Sequence, residues 1–190
     1  MLVVAYYTRN TPYEKEAEVL KVSLEALGYE YDFLAIDDQG SWQKNTQYKA
    51  HAIKQLLIKH APRPILYLDV DAIMIQKPIV LDDLPADVDI AAVHYNGSTE
   101  LLSGTIYMRQ TALPVVERWI ELNRLYPEYL PDGRKAWDQR TLRLAILETK
   151  ANFYELPQEY TWIVELTQKS HPGLAPVILH TRGSLRFGQE

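Results

Sequence analysis

Apolar and amphipathic segments alternate along the first half of the chain. Residues 1–7 and Tyr29–Ile36 are rich in the apolar, aromatic and β-branched residues typical of strands. Between them apolar residues recur at helical spacing, and Gly28 is placed to end that helix in the left-handed conformation. The apolar face of this helix consists of Ala17, Leu20, Leu24 and Leu27. A strand, a helix and a strand in this order predict a parallel pair joined by a right-handed crossover.

A second helix and a third strand are expected next. Asn45 or Thr46 is placed to cap a helix that runs to about Ala61. Its core-facing residues are Ile53, Leu56 and Leu57. The segment Ile65–Leu68 that follows is apolar without interruption, as in a strand covered by helices on both faces. The first half of the chain therefore predicts a mostly parallel sheet.

The second half predicts a mixed continuation of that sheet within one α/β domain over residues 1–190. A helix is expected from Thr111 to about Leu125, with Pro114 tolerated in its first turn. Trp137–Thr149 has the spacing of another helix. Short apolar segments predict the remaining strands at Ala72–Ile75, Val88–His94, Thr105–Met108, Asn152–Leu156, Tyr160–Val164 and Val177–His180.

Two aspartates follow the third predicted strand directly. Asp69 and Asp71 lie at its carboxyl end, which is where open α/β sheets bind ligands. If the extended conformation continues through Val70, both carboxylates point to the same side. Two like charges about 5 Å apart repel by about 3 kcal/mol at an effective dielectric of 20, so the pair requires a cation or a shared proton. A divalent metal is the simplest partner, and the alternative is one capping and one solvated aspartate.

Composition restricts the chemistry of any site. The chain has 190 residues, no cysteine and a formal net charge of -5. Thiolate ligands, disulfides and a cysteine nucleophile are therefore excluded, and a metal has to use oxygen or imidazole ligands. Negative net charge without a long basic run argues against nucleic acid as the main partner. We find no secretory signal pattern and no apolar run of membrane-spanning length, and therefore expect a cytoplasmic protein.

Five segments, in order, resemble the motifs of the GT-A-fold glycosyltransferases, in particular the group that contains glycogenin and the bacterial lipooligosaccharide galactosyltransferases. They are Tyr67–Asp71, Leu102–Met108, Trp137–Gln139, Leu156–Pro157 with the nearby Tyr160, and Ile178–Ser184. The first is similar to that family's Asp-x-Asp motif and the last to its terminal His-x-x-Gly segment. The resemblance implies a GT-A-type domain, with a mixed, mostly parallel sheet and helices on both faces, that transfers a sugar from a nucleotide-sugar donor, here a UDP-sugar.

The resemblance also implies roles for individual residues. Asp69, Asp71 and His180 would bind Mn²⁺ or Mg²⁺, which suits oxygen and imidazole ligands. Asp138 and Gln139 would be the catalytic residues that face the donor sugar. Residues expected to contact the donor are Tyr6, Tyr7, Thr8, Arg9, Lys49, Ser103, Gly104 and Gly183. The acceptor stays open between a glycan, a lipid-linked saccharide, a protein and a modified nucleic acid.

The family pattern also implies a retaining reaction, but one position departs from it. Arg140 follows the Asp-Gln element where the family often has a further aspartate. Several residues also have plainer interpretations. Lys49 could be an exposed helix lysine, Asp138 could simply complement a helix N-terminus, and Gly104 could serve an unusual backbone angle.

Two other functions fit parts of the pattern. Haloacid-dehalogenase-type phosphatases also have an apolar strand that ends in Asp-x-Asp, with the first aspartate as nucleophile. That motif normally lies near the start of the chain, whereas two predicted strand and helix pairs precede Asp69 here. The other function is a module that binds a nucleotide-sugar without turnover. Nucleotide-sugar binding, phosphomonoester hydrolysis, and binding without transfer distinguish the three possibilities.

Overall fold

A computed structural model describes residues 1–181, in which strands and helices alternate through the first half of the chain. The strands are β1 Leu2–Thr8, β2 Tyr31–Ile36, β3 Ile65–Leu68, β4 Ala72–Met74, β5 Ile90–His94, β6 Leu101–Met108, β7 Phe153–Glu155, β8 Trp162–Ile163 and β9 Ile178–His180. The helices are α1 Tyr13–Ala26, α2 Trp42–Gln47, α3 Lys49–Lys59, α4 Leu113–Leu125, α5 Asp138–Thr149 and α6 Val164–Ser170. None of the helices in this part of the chain is long and apolar enough to cross a lipid bilayer.

The central sheet has the strand order β2-β1-β3-β6-β5-β7. Strand β1 pairs in parallel with both β2 and β3, and β5 pairs in parallel with β7. Strand β6 runs antiparallel to its neighbours β3 and β5. The predicted mixed, mostly parallel sheet is confirmed, and the first half of the chain contributes the parallel strands β2, β1 and β3.

Helices cover both faces of this sheet, as predicted. Successive residues of β1 show this directly, because Leu2 and Val4 belong to one apolar core whereas Val3 and Ala5 belong to the other. Helix α1 packs in the second core, and helices α3, α4 and α5 pack in the first. The uninterrupted apolar character of β1 and β3 follows from this burial on two faces.

A second, smaller sheet with the order β4-β9-β8 lies at the end of β3. Strand β4 pairs antiparallel with β9, which places His180 opposite Ala72. The Thr181 N–H also donates to the Asp71 carbonyl oxygen at 3.1 Å. The sequence predicted a single mixed sheet, and this separate sheet is what carries residues 178–180 to the two aspartates.

The predicted start of the second helix is wrong. The helix expected from Asn45 or Thr46 is instead the pair α2 and α3, and α2 begins after Ser41. Ser41 has the extended conformation of a cap residue, and its hydroxyl accepts a hydrogen bond from the Lys44 N–H at 3.2 Å. Asn45 uses its side chain to bind the polar turn that precedes the helix.

Helix α4 starts two residues later than predicted. Thr111 lies in a short 3₁₀ turn, Gln110–Ala112, and helix α4 begins at Leu113. Pro114 occupies the first turn of α4, as predicted, where its missing N–H costs no helical hydrogen bond.

Candidate active site

A cleft of about 770 Å³ opens where β1 and β3 end. The sequence-predicted residues that line it are Tyr6, Tyr7, Thr8, Lys49, Asp69, Asp71, Ser103, Gly104, Asp138, Gln139 and His180. Arg9 is not in its lining, because that side chain is exposed and pairs with Asp37 at 3.1 Å. Gly183 lies outside the described residues. The cleft thus occupies the position that ligands take in α/β sheets.

The two aspartates lie in a turn rather than in an extended strand. Strand β3 ends at Leu68, and the Ala72 N–H donates to the Asp69 carbonyl oxygen at 2.9 Å. The expectation that the chain stays extended through Val70 is therefore wrong. Because the turn ends the alternation of side chains, Asp69 and Asp71 bind different partners.

Asp69 is held inside the cleft by two donors. Its Oδ1 accepts a hydrogen bond from the Tyr67 hydroxyl at 2.6 Å and lies 2.9 Å from the Lys49 ammonium. The Asp69 N–H donates to the Gly104 carbonyl oxygen at 2.8 Å, which fixes the start of the turn against β6. The cation that the acidic pair requires is therefore supplied, for Asp69, by a lysine of the same chain.

Lys49 lies at the centre of the acidic network. Its side chain is 4% exposed, and its ammonium is 2.8 Å from Asp138 Oδ2 and 3.0 Å from the Ser103 hydroxyl. The interpretation of Lys49 as an exposed helix lysine is wrong. Burial by itself would lower the pKa of Lys49, but the charges of Asp138 and Asp69 outweigh it and raise that pKa above its ordinary value. Lys49 is therefore a permanent cation at neutral pH.

Asp138 is fixed from several directions. It is the first residue of α5, one residue after the predicted start of this helix at Trp137, and is only 6% exposed. Its Oδ2 accepts a hydrogen bond from the Ser103 hydroxyl at 2.7 Å. The Trp119 indole N–H donates to its backbone carbonyl oxygen at 2.9 Å. Asp138 therefore lies at a helix N-terminus and also lines the cleft.

Gln139 is oriented by a residue that the sequence did not single out. Its Nε2 lies 2.5 Å from Glu100 Oε1. Because a carboxylate can only accept hydrogen bonds, the amide nitrogen has to face Glu100, and the amide oxygen points away from it. Glu100 therefore determines which end of the Gln139 amide is left for a ligand.

His180 is buried against β6 beside Asp71. Its Nδ1 lies 3.4 Å from Asp71 Oδ1, and its Nε2 lies 2.9 Å from the Thr105 hydroxyl. A Cβ atom at Gly104 would lie 2.8 Å from His180 Cε1. Gly104 does not have a positive φ, so the alternative interpretation as an unusual backbone angle is wrong, and the glycine leaves space for the imidazole.

Tyrosines form the wall of the cleft beneath the carboxylates. Tyr6 and Tyr67 stack with ring centroids 6.2 Å apart, and the Tyr6 hydroxyl donates to the Asn45 carbonyl oxygen at 2.7 Å. Burial, and then the charge of Asp69, raise the pKa of both phenols well above the ordinary value. Burial, followed by the charges of Asp71 and Asp69, raises the pKa of Tyr13 to about 12. These hydroxyls therefore remain neutral hydrogen-bond donors.

The same arrangement of strands and helices occurs in solved glycosyltransferases. A glycosyltransferase involved in the glycosylation of the major capsid of PBCV-1 superposes with a TM-score of 0.75 at 15% identity, over 100% of this chain and 97% of that one. The chain has the GT-A glycosyltransferase fold. The galactosyltransferase LgtC, solved with donor and acceptor sugar analogues, superposes with a TM-score of 0.64 at 15% identity, over 96% and 87% of the two chains.

A third similar structure is considerably longer. The glycosyltransferase GlyE of Streptococcus pneumoniae TIGR4 superposes with a TM-score of 0.68 at 15% identity, over 94% of this chain and 54% of that one. No protein-family model and no curated protein sequence matches the chain. At these identities the likeness shows the fold, and it assigns no role to individual residues of the cleft.

The GT-A fold raises the question of whether a divalent metal fits this cleft. Among the side chains that the structure describes, no three acidic or histidine groups are close enough together to form a ready-made metal site. Asp71 and His180 do fit as ligands, because Thr105 can accept the Nε2–H and leave the Nδ1 lone pair facing the carboxylate. The third expected ligand, Asp69, is bound to Lys49.

One whole wall of this GT-A cleft was not predicted from the sequence. Helix α2 contributes Trp42 and Gln43 to the lining, together with Asn45 and Thr46, which had been assigned only a capping role. A usable signal was present, since this polar segment with one tryptophan follows the carboxyl end of β2. The hydrophobic periodicity gave no such signal, because none of the α2 residues is buried.

Proposed function

We propose that this protein is a glycosyltransferase that binds a nucleoside diphosphate sugar, a UDP-sugar, in the 770 Å³ cleft. One observation carries the proposal. On a GT-A fold, a buried lysine joins Asp69 to Asp138 in the same cleft in which Asp71 faces His180. A donor diphosphate needs positive charge, and the cleft has both a fixed cation and a pair of groups suited to hold a second one.

Asp71 and His180, joined by Asp69, would hold Mn²⁺ or Mg²⁺. When bound, such an ion would stabilise the negative charge of the leaving diphosphate. Lys49 lies 2.9 Å from Asp69 Oδ1, so this carboxylate would serve both the ammonium and a bound ion, and the two cations would together neutralise the acidic charge of the site. Lys49 alone offsets part of the charge of Asp69 and Asp138 in the protein without a metal.

Asp138 and Gln139 are proposed to face the donor sugar. Lys49 and Ser103 hold the Asp138 carboxylate in one orientation, and Glu100 directs the Gln139 amide oxygen away from itself. Fixed negative and partially negative oxygens of this kind stabilise the positive charge that develops at the anomeric carbon. A retaining outcome is part of the proposal, and proton NMR of the first product, through its anomeric coupling constant, tests it.

The deciding experiment measures thermal unfolding with UDP and with a panel of UDP-sugars, each with Mn²⁺ and with excess chelator. Stabilisation is expected only with the metal, and at one hundred times the dissociation constant it should reach about 2.7 kcal/mol. Asp71→Asn should remove this stabilisation without unfolding the protein. The matched control Asp83→Asn changes an exposed aspartate and should leave the stabilisation unchanged.

Release of UDP from a bound sugar nucleotide then separates the candidate functions. Release that depends on Asp138 supports a transferase. Equal stabilisation by UDP in excess chelator contradicts the metal-dependent mechanism. Hydrolysis of a phosphomonoester that is lost in Asp69→Asn would establish the phosphatase alternative, and donor binding without release or transfer would establish a binding module.

A further inference from the structure

A second cavity, of about 330 Å³, lies beside the cleft and has different lining residues. It is formed by the start of β6, the segment after α4 and one side of α5. Glu100 lines it and also accepts the hydrogen bond from Gln139, which lines the cleft. This hydrogen bond therefore connects the linings of the two cavities.

Some of the charged side chains that line this second cavity have an ion-pair partner, and one has none among the described residues. Asp132 is bound by Arg134 at 2.6 Å, and Glu148 is bound by Arg118, which is not part of the lining. Arg143 also lines the cavity and is half-buried. It has no hydrogen bond or ion pair with any residue in the part of the chain that the structure describes. The lining has three carboxylates and three guanidinium groups, and Arg143 is the one of these charged groups that has no direct partner among the described residues.

Arg140, the neighbour of Arg143 on α5, is held by an aromatic ring and a backbone carbonyl oxygen. The Arg140 guanidinium lies 4.5 Å from the centroid of the Trp137 ring and donates to the Lys135 carbonyl oxygen at 3.0 Å. Its buried Nε has no hydrogen-bond partner among the described residues and lies 3.6 Å from Glu100. Arg140 and Arg143 are three residues apart on α5, so they are neighbours on one helix face.

We propose that this cavity binds a sugar unit that carries a carboxylate, a uronate of the acceptor saccharide. A guanidinium matches a planar carboxylate with two parallel hydrogen bonds, and Arg143 has no partner for its guanidinium in the described part of the chain. Asp132 and Glu100 offer acceptor oxygens for sugar hydroxyls, and Leu130 and Leu144 offer apolar surface for a ring face. The volume is within the range of small-molecule sites. The inference rests on the proposed function only in naming the occupant as part of the acceptor.

Saturation-transfer NMR with the whole protein tests the site directly. Methyl glucuronide is the probe, methyl glucoside is its neutral match, and inorganic phosphate reports a general anion site. We expect binding of the glucuronide, little or no binding of the glucoside, and a loss of affinity of about tenfold or more in Arg143→Gln. Arg143→Lys should recover only part of that affinity, because an ammonium lacks the planar fork. Arg124→Gln, an exposed position on α4, is the matched control and should bind like the unaltered protein.

Three outcomes would overturn the inference. They are failure of the unaltered protein to bind the glucuronide, equal binding in Arg143→Gln, and phosphate binding as tight as that of the glucuronide. UDP binding measured in parallel keeps the two proposals separate. Loss of the glucuronide signal with intact UDP binding contradicts this inference alone, whereas glucuronide binding without UDP binding supports it and contradicts the donor assignment.

Discussion

Lys49 combines a role in the cleft with a large contribution to stability. Its ammonium is the buried cation between Asp69 and Asp138, so Lys49→Met would leave two carboxylates without their counter-charge. Breaking a buried ion pair in this way costs about 3–5 kcal/mol, and we expect the lower end because Asp69 is 35% exposed. Urea unfolding at pH 7 measures this loss.

Lys54 provides the control on the same helix. It pairs with Glu117 at 2.8 Å, but both side chains are exposed by more than a third, so Lys54→Met should cost about 1 kcal/mol or less. The double variant Lys49→Met with Asp138→Asn should recover part of the loss, because it removes one of the stranded charges. A cost for Lys49→Met no larger than that of Lys54→Met would contradict the buried network.

Gly104 is predicted to act through the space it leaves for His180. In Gly104→Ala the new Cβ would lie 2.8 Å from His180 Cε1, so the imidazole has to move away from Asp71. Overpacking of this kind costs about 1–3 kcal/mol. The double variant Gly104→Ala with His180→Ala should restore most of the stability, as measured by thermal unfolding. If Gly104→Ala alone is neutral and the His180 NMR signals do not shift, the close contact has no such role.

Single residues of the site could be predicted when they follow a strand. Asp69 and Asp71 were found from their position after an apolar run. Lys49 was named from the sequence, but its partnership with Asp138 was not, because α3 and α5 meet only in the folded chain. Gly104 was singled out as a residue that contacts the donor, which stays a prediction, and its contact with His180 could not be predicted because that imidazole comes from β9.

At the level of elements, the cap of α2 controls one wall of the cleft. The Ser41 hydroxyl accepts from the Lys44 N–H, and Ser41 itself lines the cleft. Ser41→Ala should lower the free energy of unfolding by about 1 kcal/mol, and Ser41→Asp, which restores a capping oxygen, should recover most of it. Denaturant unfolding of the three proteins checks this. Equal stability of all three would show that α2 does not depend on its cap.

Elements were predicted well where the apolar period is long, and poorly where one residue decides a boundary. Strands β1 and β3 and helices α1 and α5 match their predicted positions, because burial imposes a clear period on each. The end of β3 at Leu68 could not be predicted, because Asp69–Asp71 turn away in order to pair β4 with β9. Pairing between segments so far apart in sequence leaves no local signal.

At the scale of the whole molecule, the fold concentrates negative charge and buried hydroxyls at the carboxyl ends of strands β1 and β3. Residues of β1, β6, α2, α3 and α5 meet there, and Tyr67, Asp69 and Lys49 form one connected network. The order of elements was predictable from the sequence, and the fold class follows from it. The direction of the pKa shifts in this network was not predictable, because these shifts depend on burial as well as on residue type.

This network predicts a loss of stability at alkaline pH. Burial, and then the charge of Asp69, raise the pKa of Tyr67 in the folded protein, whereas the unfolded chain has a tyrosine pKa of about 10. Above pH 10 the unfolded chain therefore releases a proton that the folded protein keeps, so unfolding becomes more favourable as the pH rises. The contribution is fully present below pH 10 and is lost as the pH rises from there toward the folded-state pKa.

Tyr67→Phe should accordingly flatten this dependence. Urea unfolding between pH 8 and pH 11 should give a slope of free energy against pH that is shallower above pH 10 by up to about 1.4 kcal/mol per pH unit. The variant should be less stable at pH 8, because the hydrogen bond to Asp69 is lost, and this difference should shrink as the pH rises above 10. Tyr129→Phe alters a tyrosine that is 55% exposed and should leave the slope unchanged. If Tyr67→Phe keeps the full slope above pH 10, the alkaline transition arises elsewhere and the buried phenol is not its cause.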